Sequence, residues 1–226
     1  MGLPHTWSRH GHYTFFVIGL LASPQLLPSQ PVVPAGDEFV VNSFTFGRQL
    51  RHDVSMTPDG SFVVMWTDGS AELGLTGQDG SESGVRGQRF DATGGPIASE
   101  FQVNITTLGS QSAPRVRHDA AGNLLAVWRD PSGLVGRRYD ASFVPVGGEL
   151  GLVSGPVGTP DLGFQPSGDF VVVYNDFSGY DGNIQGQRFQ PDGTPISTEF
   201  QVNTSTQYTQ QQPSIAVDSD GEFVVV

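Results

Sequence analysis

One phrase of the sequence occurs four times, and this repetition constrains the fold more than any other feature. Each copy is a turn containing glycine followed by an apolar run, at residues 59–66, 121–128, 167–174 and 220–226. Glycine supplies the positive φ of a tight turn, and the run is rich in β-branched and aromatic residues. Because the run is apolar without alternation, it predicts a strand covered on both faces of its sheet. Recurrence over tens of residues indicates a repeat protein.

Other phrases recur in a fixed order around this run. A Glu-Phe-x-Val-Asn phrase opens the first, second and fourth units, and residues 149–153 are a degenerate copy in the third. A short strand precedes each turn, and a strand resembling Val-Arg-Gly-Gln-Arg-Phe ends the first three units. Four short strands per unit of about 50 residues are typical of a propeller blade. The sequence therefore predicts an all-β, β-propeller-like array of four-stranded antiparallel blades. The predicted units are 34–95, 96–144, 145–194 and a truncated 195–226, about three and a half blades of an incomplete propeller.

The strand–turn–strand phrase of residues 57–64, Thr-Pro-Asp-Gly-Ser-Phe-Val-Val, resembles TolB-type and WD-like β-propeller repeats of secreted or surface bacterial proteins. Trp66-x-Asp68 is similar to the Trp-Asp ending of WD repeats, with one extra residue. The resemblance covers residues 34–226 and implies a propeller fold. It leaves the function open, because propellers include enzymes, binding proteins and scaffolds.

Residues 1–33 lie outside the repeats and have the pattern of a secretory signal peptide with a Pro-rich leader. A weakly basic start precedes the apolar run 13–22, and small and proline residues follow it. The run is shorter than the ~20 residues of a membrane span. We therefore expect a secreted or cell-surface bacterial protein without a span in its mature chain. The alternative is a short uncleaved signal anchor.

The charge and the cysteine content exclude several classes of function. The chain of 226 residues has a formal net charge of −12, whereas binding to nucleic acid requires clustered cations. It contains no cysteine, so disulfides, thiolate metal sites and a cysteine nucleophile are absent. Nucleic acid is therefore not an expected partner.

No residue pattern predicts a catalytic group. Glutamates at 38, 100, 149 and 199 and arginines at 89, 138 and 188 occur once per unit, which favours structural roles such as Glu–Arg pairs between strands. The Asn-x-Thr/Ser patterns at Asn104 and Asn203 recur with the repeat and are also explained by it. The strand before each turn has the following predicted inward positions: Val54, Met56, Val116, His118, Leu162, Phe164, Ile215 and Val217.

Two loops are candidate calcium sites because they concentrate carboxylates and amides, the oxygen ligands that this hard cation prefers. One contains Asp176, Asp181 and Asn183, and the other contains Asp79. Neither loop has the ligand spacing of a helix–loop–helix calcium site. The competing interpretation is that these are ordinary turn residues.

Taken together, these features predict an exported β-propeller module for binding or scaffolding, without intrinsic catalysis. Protein or carbohydrate ligands are expected at the variable loops, including the insertion 71–83. An open edge of the array would allow self-association. The first alternative is a fragment of a carbohydrate-active hydrolase or lyase of propeller type, and the second is a structural spacer in a long repeat array.

Overall fold

The computed structural model describes residues 37–45, 47–69, 76–179 and 182–226, and their regular structure consists entirely of β-strands. Residues 40–226 form one compact unit, separate from the residues up to Phe39. No helix in the described ranges is long and apolar enough to cross a membrane. The predicted signal peptide, residues 1–33, lies outside the described residues.

The strands form three four-stranded sheets and one two-stranded sheet, all antiparallel and each following the order of the chain. Sheet 1 contains β1 (Gln49–Met56), β2 (Phe62–Gly69), β3 (Ser83–Phe90) and β4 (Phe101–Gln102). Sheet 2 contains β5 (Ser112–His118), β6 (Leu124–Asp130), β7 (Gly133–Tyr139) and β8 (Pro145–Ser154). Sheet 3 contains β9 (Asp161–Phe164), β10 (Phe170–Asp176), β11 (Asn183–Phe189) and β12 (Phe200–Gln201), and sheet 4 contains β13 (Ile215–Val217) and β14 (Phe223–Val225). The predicted all-β fold with four-stranded antiparallel sheets is confirmed.

The sheets are out of phase with the predicted sequence units by one strand. The Glu-Phe-x-Val-Asn strands β4 and β12 pair with β3 and β11, so each closes the preceding sheet instead of opening the next one. A glycine in the partner strand makes room for the phenylalanine ring: a Cβ on Gly186 would lie 2.4 Å from the Cζ atom of Phe200. The first copy of the phrase, residues 38–42, forms no strand.

The recurring turn is held by its own hydrogen bonds. In the first copy, the backbone N–H of Thr57 donates to the carbonyl oxygen of Ser61 over 2.8 Å, and Gly60 takes a φ of +87°. Hydrogen bonds from the Ser61 and Thr57 side chains and the Ser61 backbone lower the pKa of Asp59 to about 2. The Asp59-Gly60 pair therefore fixes the reversal that precedes β2, and a glycine with positive φ occupies the same position in the other three copies.

Alternate residues of each apolar strand pack against different neighbouring sheets. Val63 and Met65 of β2 meet the even-numbered residues Leu124, Ala126 and Trp128 of β6. The odd-numbered Leu125 and Val127 of β6 likewise meet Phe170, Val172 and Tyr174 of β10. Val171 and Val173 then pack against Ile215, Val217, Phe223 and Val225 of sheet 4. Because a sheet in the stack has a neighbour on each face, its second strand is apolar at consecutive positions, as predicted.

Two of the predicted inward positions are wrong. Val54 is 51% and Met56 is 63% exposed, whereas the equivalent Val116, Leu162 and Ile215 are buried against the preceding sheet. Within the described residues no sheet precedes sheet 1, so this face of β1 has no apolar surface to cover it.

Val171 and Val224 occupy the same register position of β10 and β14, and they provide a matched test of the stacking. Val171 is fully buried against sheet 4, whereas Val224 is 60% exposed. We expect Val171→Ala to lower the free energy of unfolding by about 2 kcal/mol, because it removes buried methyl groups and leaves a cavity. Val224→Ala should change it by less than about 0.5 kcal/mol. Urea denaturation measures both values, and equal losses would contradict the proposed order of the sheets.

Candidate functional site

The first strands of the four sheets, β1, β5, β9 and β13, lie next to one another in chain order. A cleft of about 550 Å³ opens beside them. Apart from Pro213, its wall consists of polar and charged residues from every sheet or from the segment that leads into it: Arg51, His52 and Asp53; Arg115 and Arg117; Thr159 and Asp161; Gln212 and Ser214. We call this cleft the first-strand cleft. It brings together residues that are far apart in the sequence.

Arg117 connects three sheets through its guanidinium group. Its Nη1 atom lies 2.6 Å from the Oδ2 atom of Asp53 in sheet 1, and its Nη2 atom lies 2.8 Å from the Oδ1 atom of Asp161 in sheet 3. The side chain of Asp161 is only 5% exposed and that of Asp53 is 18% exposed. A planar guanidinium has donors in a fixed geometry that suits two carboxylates at once. Arg117 therefore compensates two carboxylates that are otherwise removed from water.

The two aspartates also accept hydrogen bonds from the next first strand. The Oδ2 atom of Asp53 accepts from the backbone N–H of Val116 over 2.8 Å. The Oδ2 atom of Asp161 accepts from the backbone N–H of Ile215 over 3.0 Å and from the Ser214 hydroxyl over 3.2 Å. These contacts hold successive sheets together and occupy both oxygens of Asp161 and the Oδ2 atom of Asp53. Neither aspartate is thus arranged as a free general acid or base.

Arg51 and Arg115, the other two arginines of the cleft, are not paired with a described carboxylate in this way. Among the described residues, no carboxylate forms an ion pair with Arg51 or Arg115. The Nη1 atom of Arg115 donates to the carbonyl oxygen of Pro114 over 3.0 Å. Arg51 is exposed at the rim, next to the exposed His52.

The entry to the cleft is shaped by β-bulges. The register of β1 shifts between Leu50 and Asp53, and that of β5 shifts between Ser112 and Arg115. Arg51 within the first bulge has a φ of 52°, and Gln212, at the equivalent position before sheet 4, has a φ of 59°. Bulges redirect side chains and are frequent beside functional sites, and positive φ is uncommon for residues other than glycine. Here they place Arg51 and Gln212 at the rim of the cleft.

His118 lines a second cleft of about 560 Å³ that shares Arg117 with the first. Its side chain is half-buried, and its Nδ1 atom lies 2.9 Å from the Ser55 hydroxyl of sheet 1. Burial lowers the pKa of His118 more strongly than nearby charges shift it, so the ring is neutral at pH 7. His118 therefore links sheets 1 and 2, and no carboxylate among the described residues forms an ion pair with its ring.

The candidate calcium residues remain in separate loops. Asp176 accepts hydrogen bonds from the backbone N–H and the hydroxyl of Ser178, each over 2.8 Å. The Oδ1 atom of Asn183, which faces Asp176 across β10 and β11, accepts from Asn203. Asp79 accepts from the Ser81 backbone N–H, and Asp181 lies outside the described residues. No group of three or more acidic or imidazole side chains suited to a metal occurs in the part of the chain that is described.

The repeated glutamates bind loop backbone, so the predicted Glu–Arg pairs are wrong for two of them. Glu100 accepts from the N–H groups of Ser43 and Phe44, and Glu149 accepts from those of Ile105 and Thr106. Burial raises the pKa of Glu100, but hydrogen bonds from Ser43 and Phe44 outweigh it and leave that pKa below its ordinary value. Each of these glutamates fastens the loop that follows the preceding Glu-Phe-x-Val-Asn phrase.

Two of the three repeated arginines, Arg89 and Arg188, stack on aromatic rings of the following unit. The Arg89 guanidinium lies 4.4 Å from the ring centroid of Phe143, and that of Arg188 lies 5.2 Å from the centroid of Phe223. Such cation–π contacts contribute roughly 0.5–1 kcal/mol each at exposed sites. They support the structural role predicted for residues that recur once per unit.

Asn104 and Asn203 also have repeated structural contacts. The Oδ1 atom of Asn104 accepts from the Val85 backbone N–H over 2.8 Å, and that of Asn203 accepts from the Ile184 N–H over 2.7 Å. Asn104 is 2% exposed. These contacts give both asparagines the same structural role in their units.

The sequence patterns missed Asp53, Arg117 and Asp161. A usable signal was present for Arg117, however, because its register position departs from the repeat. The position of Arg117 is occupied by Ser55, Gly163 and Ala216 in the other sheets, so a charge occurs there only once. A charged residue at one copy of an otherwise small position indicates a local role that the repeat does not require.

Comparisons with known proteins support the fold and leave the activity open. No protein-family model matches the sequence, and no curated protein matches it. A crystal structure of a protein of unknown function from Dyadobacter fermentans superposes with a TM-score of 0.64 at 10% identity, covering 82% of this chain and 63% of that one. The GH43 protein BlXynB from Bacillus licheniformis gives a TM-score of 0.48 at 14% identity, covering 82% of this chain and 37% of the other. The chain thus spans less than two thirds of either structure, and the TolB-type or WD-like resemblance stays a prediction.

Proposed function

We propose that this chain is a β-propeller-type binding module whose ligand occupies the first-strand cleft. Each sheet would be one blade, with its first strand nearest the centre and its last strand at the periphery. The chain-ordered stacking of sheets 1 to 4 and the adjacency of their first strands support this arrangement. A closed ring would further require apolar partners for the free faces of sheets 1 and 4.

The observation that carries the proposal is the composition of the first-strand cleft. It is concave, it is lined from sheets 1 to 3 and from the segment that leads into sheet 4, and its polar groups converge from residues as distant as Arg51 and Ser214. Binding sites are concave surfaces with a few convergent polar groups that fix the ligand's orientation. A structural spacer does not need such a site, so the cleft favours ligand binding over the spacer alternative.

The bonding of the carboxylates favours binding over catalysis. A glycoside hydrolase normally requires two carboxyl groups, one of which must carry a proton to the leaving group. Asp53 and Asp161 both bind the Arg117 guanidinium, and each also accepts a hydrogen bond from a backbone N–H of the next first strand. We therefore assign them to positioning, and the carbohydrate-active enzyme remains the second candidate.

The remaining sequence-based expectations complete the proposal. Residues 1–33 would direct the protein to the cell surface or the extracellular space. Calcium would bind at the loop of Asp176 and stiffen the connection between β10 and β11. The free apolar faces of sheets 1 and 4, which carry Val54, Met56, Val224 and Val226, would associate with further sheets or with another copy.

Blocking the cleft tests the proposed function. Thr159 is half-buried in the cleft wall, so Thr159→Trp should fill part of the cleft and leave the fold intact. Ligand-observed NMR on the full chain, with a panel of oligosaccharides and short peptides, should detect binding that this variant loses. The same samples, incubated overnight, should contain unchanged ligand. Turnover of any panel member would support the enzyme alternative, and binding unaffected by Thr159→Trp would place the ligand elsewhere.

A further inference from the structure

The charges in the first-strand cleft indicate which ligand it accepts. Building on the function proposed above, we infer that the cleft binds a small carboxylate-bearing polar ligand, such as a sugar acid, through Arg51 and Arg115. The chain as a whole is strongly acidic, with a net charge of −12. Three of its eleven cationic side chains nevertheless line this one cleft, at Arg51, Arg115 and Arg117.

The charge balance of the cleft identifies the free cations. Arg117 is committed to Asp53 and Asp161, with N···O distances of 2.6 and 2.8 Å. Arg51 and Arg115 form no ion pair with any described carboxylate. Counted as in the formal net charge of the chain, the three arginines and two aspartates leave a formal charge of +1 in the cleft. An excess of one positive charge matches a monoanion better than a doubly charged anion.

The geometry of the donors indicates a carboxylate. A guanidinium presents parallel N–H donors that match the two oxygens of a carboxylate. Arg115 is half-buried and uses one donor atom for the carbonyl oxygen of Pro114, which fixes the side chain and leaves further donors available. The bulge lies in β1, the first strand of the neighbouring sheet, and contains Arg51. A carboxylate entering the cleft therefore meets cationic donors from two sheets.

The rest of the wall suits a ligand with hydroxyl groups. Thr159, Gln212 and Ser214 contribute hydroxyl and amide groups to the cleft. Such groups can both donate and accept, which is the hydrogen-bonding character of sugar hydroxyls. The side chains of Gln212 and Ser214 are exposed to solvent and are thus accessible to a ligand. A carboxylate combined with several hydroxyl groups uses both parts of the cleft.

The test is calorimetric titration of the full chain with D-glucuronate at low salt. D-Glucose serves as the neutral analogue, and sodium sulfate serves as the dianion. Glucuronate should bind more tightly than glucose or sulfate, and its affinity should fall as salt increases. Arg115→Ala and Arg51→Ala should each weaken it by roughly ten- to hundred-fold, the range expected when a charge-assisted hydrogen bond is lost. Both residues are at least partly exposed, so both variants should retain the wild-type melting temperature.

Arg48→Ala is the matched control, because it removes the same charge from an exposed arginine outside the cleft. It should leave glucuronate affinity unchanged. Equal binding of glucose, tighter binding of sulfate, an equal loss in Arg48→Ala, or no heat with glucuronate would each overturn the inference. This outcome is distinct from failure of the proposed function. If the cleft binds only neutral ligands, and Thr159→Trp abolishes that binding, the proposed function stands and only the preference for a carboxylate is refuted.

Discussion

Replacing Trp128 with alanine is expected to lower the free energy of unfolding by roughly 3–5 kcal/mol, the largest effect of any substitution considered for this protein. Trp128 is fully buried between sheets 1 and 2, where it packs with Val63, Met65 and Val116. Its removal would leave a large cavity at this interface. Domains are stable by only about 5–15 kcal/mol, so the variant should be close to unfolding at room temperature.

Trp128→Phe separates volume from hydrogen bonding in the same side chain. The Nε1 atom of Trp128 is buried and has no hydrogen-bond partner among the described residues. Trp128→Phe therefore keeps most of the packing and loses no hydrogen bond. We expect it to lower the free energy of unfolding by roughly half as much as Trp128→Ala, or less. Urea denaturation followed by tryptophan fluorescence and circular dichroism measures both variants. A small effect of Trp128→Ala would show that sheets 1 and 2 do not share this core.

Arg117→Met is expected to cost roughly 3 kcal/mol, because it leaves two inward carboxylates without their cation. The reason is the low exposure of Asp161, whose charge is stabilised by Arg117 and by the Ile215 and Ser214 donors. Asp161→Asn should cost a similar amount, since it weakens the contacts to sheet 4. Chemical denaturation of each purified variant provides the values.

A double-mutant cycle shows whether the two residues act as a pair. Because each single variant leaves a charge without its partner, the combined Arg117→Met and Asp161→Asn variant should lose at least 1 kcal/mol less than the sum of the two single losses. The exposed Arg48→Met is the control for removing an arginine and should be close to neutral. If the two losses in the free energy of unfolding are additive, Arg117 and Asp161 are not coupled, and Arg117 acts as an ordinary surface charge.

The repeat in the sequence was sufficient to predict the strands and the antiparallel sheets. The Asp-Gly turn before Phe62 and the consecutive apolar residues after it are local signals, and each has a direct physical cause in φ preference and burial. The assignment of strands to sheets could not be predicted from these local signals. Whether Phe101 pairs with the strand before or after it depends on the ring fitting over Gly87, a contact between distant residues.

The exposure of individual residues also depended on position in the stack. Val54 and Val116 have the same residue type at the same register, yet only Val116 is buried, because only sheet 2 has a preceding sheet among the described residues. Similarly, Val171 and Val224 are equivalent in sequence and differ in burial. A repeat pattern averages over copies and cannot distinguish the first or last copy from the others.

The amino-acid sequence by itself determined the β-strand content, the turns and the apolar second strands, because these follow from local residue preferences at a constant spacing. Only the tertiary structure decided that Asp53, Arg117 and Asp161 meet and that Arg51 and Arg115 face a common cleft. The physical reason is that stacking brings first strands together across separations of more than 40 residues, such as the 44 between Arg117 and Asp161. Charges at non-repeating positions become a site only when that packing is in place.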